Sequence, residues 1–428
     1  MVLTPQLKDE KRRAAEALLA ALPLPEDEAA WARAARSAAR SRLLDAGAPI
    51  RRDEYWKYTD PARLTAPVAP VSDAGEPFAG EPAFVSVPAR RARFANGRFR
   101  PDLSDDLGQP GLAVEPIGAM LAQDITVMRE LFGTLEAAGQ EKVSRPLASL
   151  NTAAATEGLA IQATGEVAEP LHLDQRQVGE GASLIHHVIR VEEGASLTIL
   201  ESGIASNTVM EVDVATGGRF RHVRLQSAPD RPAASHVFAR VGERASFKTF
   251  TLTSDGALTR NEVIADLAGN DGTAHVAGAV LGKGAAHADN TVFLTHGGEN
   301  CESRQVFKNV LTDKAHGIFQ GKIFVRPSAQ RTDGYQISQA VLLAEGAEFS
   351  SKPELEIYAD DVQCSHGSTT GALDETALFY LLSRGVGRSE AEALLVASFV
   401  EEAIAEIEDE ALADVMRGEV AGWMAARS

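Results

Sequence analysis

Two residues near the carboxyl end of the chain, Cys364 and His366, are the residues best suited to metal chemistry. They lie two positions apart in the stretch DDVQCSHGSTTG. Alternate side chains of an extended strand point to the same face, so the thiol and the imidazole would share one face. Structural zinc sites take about four ligands, and iron-sulfur clusters are usually held by about four thiolates. The pair therefore provides half of a metal site: either its spacing is coincidental, or a second chain supplies the missing ligands.

A second stretch, from His296 to Lys308, brings together a histidine, the cysteine Cys301 and several charged residues. A single cysteine of this kind most often packs as a small hydrophobic residue. The segment AGAVLGKGAAH is not a phosphate-binding loop, because Ala277 replaces its first glycine and Gly284 its magnesium-binding Ser or Thr. The motifs G-x-S-x-G, H-E-x-x-H and C-x-x-C are also absent from the sequence. These patterns argue against a nucleotide site and against nucleophilic catalysis, and they favour a protein that is not an enzyme.

The composition is that of an acidic protein with a substantial hydrophobic core. The chain has 428 residues, 44% of them hydrophobic, with a formal net charge of -18 and a pI near 5.1. A surface that binds nucleic acid needs an excess of basic residues, so nucleic acid is not expected as a partner. The first residues do not form a secretory signal, and no apolar stretch is long enough to span a membrane. With two cysteines in all, the sequence predicts a cytoplasmic protein without disulfide bonds.

Helical periodicity marks the amino-terminal region. Apolar residues at helical spacing predict helices over 8–22 and 28–46, and a further helical stretch over 117–138. Between them, the segment EYWKYTD places three aromatic residues within four positions. We expect this aromatic cluster to be a packing anchor, and a binding surface is the alternative.

From residue 151 onward, short alternating runs bounded by glycine predict strands and tight turns. Turn elements recur at roughly 22 to 28 residues, which is the size of one turn of a parallel β-helix. A β-sandwich remains an alternative at this point. The recurring turns lie at Gly194-Ala195, Gly217-Gly218, Arg244-Ala245 and Gly272-Thr273.

Beyond His366 the helical period returns. Asp374 is a predicted N-cap, and Gly385 is predicted to end the helix that follows. The residues from 401 to 414 are strongly acidic, which predicts a solvated face or, alternatively, a docking face for a basic partner. A hydrophobic stripe through Val396, Val400, Ala403 and Ile407 begins before this acidic segment and overlaps it. The chain thus divides into a helical domain with short strands (1–150), a β-helix core (151–366) and a carboxyl-terminal helical domain (367–428).

Several long, ordered motifs resemble the SufB/SufD family of the SUF iron-sulfur cluster assembly system. The family pattern C-S-H-G-A-T-x-G-x-L-D-E-x-x-L-F-Y-L-x-S-R-G is similar to residues 364–385, CSHGSTTGALDETALFYLLSRG. Ser368 stands where alanine is usual, which is a mild departure. Residues 335–343, YQISQAVLL, lack the cysteine that SufB-like chains carry there, so the resemblance is to the SufD branch. Four other segments match family motifs: EYWKYTD, SRQVFKNVL, GIFQGKIFVRPSAQRTD and KPELEIYADDV.

The resemblance implies a right-handed parallel β-helix flanked by helical domains at both ends. It also implies a non-catalytic scaffold that pairs with a SufB-like paralogue through the β-helices and docks a SufC-like ABC ATPase on its carboxyl-terminal helices. A transient iron-sulfur cluster would form at the subunit interface, and none would be bound stably by this chain alone. The functional residue of the family motif falls on His366, and Cys364 is the weaker candidate for an iron ligand.

Three alternatives stay open on the sequence alone. The isolated chain could form a homodimer, and a plain homodimeric scaffold would carry no metal. A β-helical carbohydrate-active enzyme is the main rival from another class. That rival predicts secretion and a groove of paired carboxylates or calcium-binding aspartates, and neither a signal peptide nor a repeated Asp motif is present.

Overall fold

The fold is taken from a computed structural model that describes residues 4–25, 27–71, 78, 83–123, 125–203, 205–227 and 230–427. Its helices, within these ranges, are α1 Pro5–Ala20, α2 Ala30–Ala46, α3 Ile117–Leu121, α4 Thr126–Leu131, α5 Thr134–Ala138, α6 Pro146–Ala154, α7 Glu375–Ser383, α8 Arg388–Ile404 and α9 Glu410–Arg427. Its strands are β1 Arg90–Ala95, β2 Arg98–Phe99, β3 Leu112–Pro116, β4 Leu159–Ala163, β5 Leu171–Arg176, β6 Leu184–Val191, β7 Ser196–Gly203, β8 Asn207–Val214, β9 Arg219–Ser227, β10 Pro232–Val241, β11 Ser246–Ser254, β12 Leu258–Leu267, β13 Thr273–Gly282, β14 His287–His296, β15 Glu302–Leu311, β16 His316–Val325, β17 Thr332–Leu342, β18 Glu348–Ile357 and β19 Val362–Gly371.

Consecutive strands alternate between two sheets, so the chain winds as a parallel β-solenoid. In the described residues, the odd-numbered strands from β5 to β19 join β1 and β2 in a ten-stranded sheet, and the even-numbered strands from β4 to β18 join β3 in a nine-stranded sheet. From β4 to β17, each strand pairs in parallel with the strand two places later, as Ser246 pairs with Thr273 and Thr273 with Glu302. This pairing confirms the predicted mainly β fold with a β-helix core and excludes a sandwich of antiparallel sheets.

The recurring turns stack on one another from one solenoid turn to the next. Gly194, Gly217, Arg244 and Asp271 all have positive φ angles, between 51° and 66°. The backbone N–H of Gly194 donates to Thr216 at 3.0 Å, and equivalent bonds follow from Gly217 and Arg244. Three of these residues lie at the predicted turn positions, and the fourth lies one residue earlier than predicted. The repeat in the sequence therefore corresponds to these stacked turns, which are called the turn ladder below.

The N-terminal region packs against the outer face of the nine-stranded sheet. Tyr55 and Trp56 are buried there: the Tyr55 ring meets Phe293 edge-on at 4.8 Å, and the Arg260 guanidinium lies 4.1 Å from the Trp56 ring. These contacts favour the packing-anchor interpretation of the aromatic segment. The helical stretch predicted over 117–138 is three short helices instead, and Gly133 with φ of 72° interrupts it between α4 and α5.

The two sheets extend beyond residues 151–366 at both ends. Strands β1 and β3, from the first 150 residues, are members of the two sheets, and β19 continues to Gly371. Helix α7 then begins as predicted, with the Asp374 carboxylate accepting hydrogen bonds from the N–H groups of Thr376 and Ala377. Gly385, with φ of 86°, follows its last turn. No described helix combines the length and apolar character that crossing a lipid bilayer requires.

Helices α8 and α9 pack on the outer face of the ten-stranded sheet. The predicted stripe is buried in α8 and directly after it, and α9 adds Met416 and Val420 to the same contact. The acidic segment is not simply solvated, because several of its carboxylates pair with the solenoid. Glu408 lies 2.7 Å from both Arg221 and Lys248, and Glu406 lies 2.8 Å from His275. The basic partner of this segment is thus, in large part, the chain's own sheet.

Candidate functional site

Strand β19 carries both candidate residues and forms the last strand of the ten-stranded sheet. In the described structure it pairs with β17 along one edge, and its other edge has no partner strand. Cys364 lies in register with Gly334, and His366 lies in register with Gln336. The candidate site therefore lies at the open end of the solenoid, on an edge that is free to accept another strand.

Cys364 turns inward and is half-buried against Ile323, Val325 and their apolar neighbours. The glycine at position 334 makes room for it, since a Cβ atom there would lie 3.2 Å from the Cys364 sulfur. Burial raises the pKa of the Cys364 thiol. The thiolate is the form that binds metal, so this cysteine is held in its unreactive state within the isolated chain.

His366 lies on the same face of β19 as Cys364, as predicted from the spacing, but it is exposed. The strand order explains the difference, because no further turn of the solenoid, among the residues that the structure describes, covers the end beyond β19. An imidazole in this position can accept a metal ion through a free ring nitrogen. A surface that covered the end of the solenoid would also enclose this ring.

The interior below His366 is polar, which the sequence analysis missed. Gln336 is fully buried, and its Nε2 donates to Gln305 at 3.3 Å. Ser338 makes hydroxyl contacts with Ser351 at 2.9 Å and donates to Ser368 at 3.2 Å. The alternating Gln and Ser residues of YQISQAV were the available signal, since alternate positions of a strand share one face.

Over the described residues, no three His, Cys, Asp or Glu side chains form a group that could hold a metal ion. The open end of the solenoid supplies one exposed imidazole and one protonated thiol. Such a pair is short of the roughly four ligands that a stable site needs. A metal at this end would need ligands from outside the described chain.

The second stretch of reactive residues is part of the fold. Cys301 is buried, and its sulfur lies 3.2 Å from the carbonyl oxygen of Gly269. His296 is buried beside Ser303, with Nε2 2.8 Å from the hydroxyl, and burial lowers its pKa to about 4. Both side chains already have partners inside the solenoid. This stretch therefore has a structural role, and nothing in its geometry points to chemistry.

A second exposed feature lies on the carboxyl-terminal helices. Phe379 and Tyr380 of α7 are 73% and 56% exposed, and Leu394 of α8 is 49% exposed. These three side chains are called the apolar helix face below. Large apolar residues exposed on neighbouring helices commonly mark an interaction surface, and α7 and α8 are in contact.

Comparison with known proteins places these features in one family. Residues 174–399 match the family model described as "SUF system FeS cluster assembly, SufBD core domain". The iron-sulfur cluster assembly protein SufD of Escherichia coli (strain K12) is 30% identical, over 87% of this chain and 88% of that protein. A SufBD family protein of Synechocystis sp. (slr0076) is 27% identical, over 84% of each chain. The chain therefore belongs to the SufB/SufD family and is an iron-sulfur cluster assembly protein of the SufD type.

Proposed function

We propose that this chain is the non-catalytic scaffold subunit of an iron-sulfur cluster assembly complex, and that a nascent cluster forms where its solenoid meets a SufB-like paralogue. The single observation that supports this proposal most strongly is the unpaired edge of β19, which presents His366 at an open end with too few ligands for a metal. The cluster is the cargo of the complex. It is shared with the partner and is not held stably by this chain alone.

Two strands end the solenoid, and they differ in their ability to accept a partner. Strand β18 contains Pro353, which has no N–H to donate, between the charged residues Lys352 and Glu354. Proline and charges are the usual protection of a sheet edge. Strand β19 contains no proline. The partner strand therefore adds along β19, beside His366, and the same edge would join two copies of the isolated chain into a homodimer.

Partner binding would change the surroundings of His366 from solvent to an enclosed interface. A neutral imidazole binds iron, and the SufB-like partner would supply the thiolate ligands that this chain lacks. Cys364 is the second candidate ligand, and its protonated, packed thiol makes it the weaker one. Both cysteines are free, which agrees with a reducing cytoplasmic setting.

The apolar helix face is the proposed docking surface for a SufC-like ABC ATPase. Helix α8 contributes Leu394 to this face, and its opposite side packs Val396 and Val400 against the ten-stranded sheet. A force applied to the exposed face would thus reach the solenoid through packed side chains. Movement of the ATPase could in this way open and close the interface at β19.

Replacing His366 tests the proposal. The His366→Ala chain, co-expressed anaerobically with its SufB-like and SufC-like partners, is expected to lose the visible absorbance of the cluster at least tenfold. Ser365→Ala is the matched control, because Ser365 is exposed on the same strand but points to the opposite face. Size-exclusion chromatography should show intact complexes for both variants. An undiminished cluster yield with His366→Ala would refute the proposed role.

A further inference from the structure

A cavity of about 320 Å³ lies between the N-terminal region and the outer face of the nine-stranded sheet. Its wall includes Tyr55 and Trp56, the start of α6, and Arg260 of the sheet. This volume falls in the range of small-molecule sites, roughly 300 to 1,000 Å³. None of the residues that line it belongs to β19, so the cavity is separate from the proposed cluster site.

Two buried arginines line this cavity and keep unused donors. Arg145 is 3% exposed and Arg260 is 1% exposed, and the Nε atom of each has no hydrogen-bond partner among the described residues. Arg260 is neutralised by Glu262 at 2.7 Å and Asp289 at 2.5 Å. The carboxylate nearest Arg145 is Glu262, at 3.8 Å, and Arg260 already engages it. The Nη1 of Arg145 donates to the carbonyl oxygens of Gly139 at 2.7 Å and Val143 at 3.0 Å, but these carbonyls carry no net charge. Arg145 is therefore a buried cation whose charge is only partly compensated, which is costly unless a further anion approaches.

The remaining charges on the cavity wall leave an excess of positive charge. Asp53 is held by Lys11 at 2.7 Å, and Glu54 by Lys352 at 3.2 Å. Arg52 and Lys142 line the same cavity, and neither forms an ion pair with a described residue. Both side chains are exposed, and the Lys142 ammonium lies over the Phe324 ring. Each acidic residue of the wall thus has a cationic partner, and Arg52 and Lys142 remain without a carboxylate partner. The wall is suited to an anion and unsuited to a metal ion.

The backbone adds to the same preference. Helix α6 begins at Pro146, and the residues around its start, including Leu147, line the cavity. No described side chain caps its first turn. Pro146 has no N–H, and the Ala148 N–H donates to the Arg145 carbonyl at 3.0 Å, so the Leu147 N–H is the donor that this turn leaves for a ligand. The partial positive charge of the helix end favours an oxyanion there.

We propose that this cavity binds a small phosphate-bearing ligand, whose oxygens are held by Arg52, Arg145 and the first turn of α6. The planar guanidinium groups and the Leu147 N–H suit the several acceptor oxygens of a phosphate. The volume leaves room for more than a phosphate group. The ligand is therefore a phosphorylated small molecule, with inorganic phosphate as the minimal occupant.

Binding is tested on the full-length protein with inorganic phosphate and glycerol 3-phosphate by calorimetry, with succinate and chloride at equal ionic strength as comparisons. Both phosphate compounds are expected to bind, with Arg52→Ala weakening the affinity at least tenfold. Arg51→Ala is the matched control: Arg51 is exposed like Arg52 but does not line the cavity, and its loss should change the affinity less than twofold. Arg145→Met should abolish binding, with circular dichroism as the check on its fold.

Three results would overturn the proposal. The first is that succinate or chloride binds as tightly as the phosphate compounds. The second is that neither phosphate compound binds. The third is that the Arg51 and Arg52 variants lose affinity equally. The Arg51 and Arg52 pair decides the question even if Arg145→Met does not fold. Cluster yield does not enter this test, so its result is independent of the role proposed for His366.

Discussion

Cys364 and His366 lie two positions apart, yet the fold places them in different chemical states. The Cys364 sulfur packs against an apolar cluster and above Gly334, and its pKa is raised by burial. His366 lies on the same face where the solenoid ends and is exposed. Deprotonating and moving the cysteine has a cost that the histidine does not share. We therefore expect the histidine, and not the cysteine, to be the residue on which cluster formation depends.

Cys364→Ala should keep most of the cluster yield, within about a factor of two of the wild type. The substitution removes a half-buried sulfur beside Ile323, so a loss of stability on the order of 1 kcal/mol is expected from packing alone. Visible absorbance of the anaerobically purified complex measures the yield, and urea unfolding of the isolated chain measures the stability. A loss of cluster as complete as that of His366→Ala would make Cys364 a ligand.

At the scale of elements, the turn ladder fixes the spacing of the strands. Arg244 is the residue of this ladder at which backbone strain can be tested by substitution. Its φ of 51° is a conformation that β-branched residues avoid. Arg244→Val should therefore reduce the free energy of unfolding by roughly 1–2 kcal/mol. Arg244→Gly removes the same surface side chain without the strain, so it should be as stable as the wild type or slightly more stable. Equal stability of the two variants would contradict the assignment of strain to this turn.

The contact between Glu408 and the ten-stranded sheet makes a second prediction at this scale. Hydrogen bonds from Lys248 and Arg221 lower the pKa of Glu408 to about 2. Because this carboxylate is 45% exposed, solvent screens the pairs, and Glu408→Gln should reduce stability by only about 0.5–1 kcal/mol. The difference should shrink further in 1 M salt, where the Debye length is about 3 Å.

The control for that substitution is Glu10→Gln. Glu10 is an exposed residue of α1, beyond its first turn, with no ion pair to any other described residue. Its substitution removes the same charge, so it should leave stability nearly unchanged at both salt concentrations. A salt-dependent loss of equal size in both variants would mean that net charge, and not the contact with the sheet, is responsible.

The elements differ in how far the sequence could predict them. Strands and turns were predictable because side-chain alternation and the glycine-rich turns at Gly194 and Gly217 are local signals. Gly133, which interrupts the helical stretch between α4 and α5, was only a weak local signal of that break, because the residues around it follow a helical period. The pairing of Glu408 with Arg221 was not predictable, because their contact depends on how α8 and α9 lie across the sheet. The open end at β19 likewise follows from strand order and not from local pattern.

At the scale of the whole molecule, the solenoid keeps several histidines buried and neutral. Burial lowers the pKa of each of four of them to about 4: His172, His187, His287 and His296. In the unfolded chain each would titrate near 6.5. Between these two values the unfolded chain binds more protons than the folded one, so stability falls as the pH falls. The contribution is fully present above about pH 6.5 and is lost progressively towards pH 4.

His187 offers the clearest test of this linkage. Its Nδ1 accepts a hydrogen bond from the Leu159 N–H at 3.2 Å, and the side-chain oxygen of His187→Asn can accept the same bond without titrating. The variant will be less stable overall, but its loss of stability between pH 7 and pH 5 should be smaller than that of the wild type by about 1–2 kcal/mol. Urea unfolding at the two pH values measures this difference. If the two chains lose stability equally, protonation of His187 does not contribute to the acid sensitivity of the solenoid.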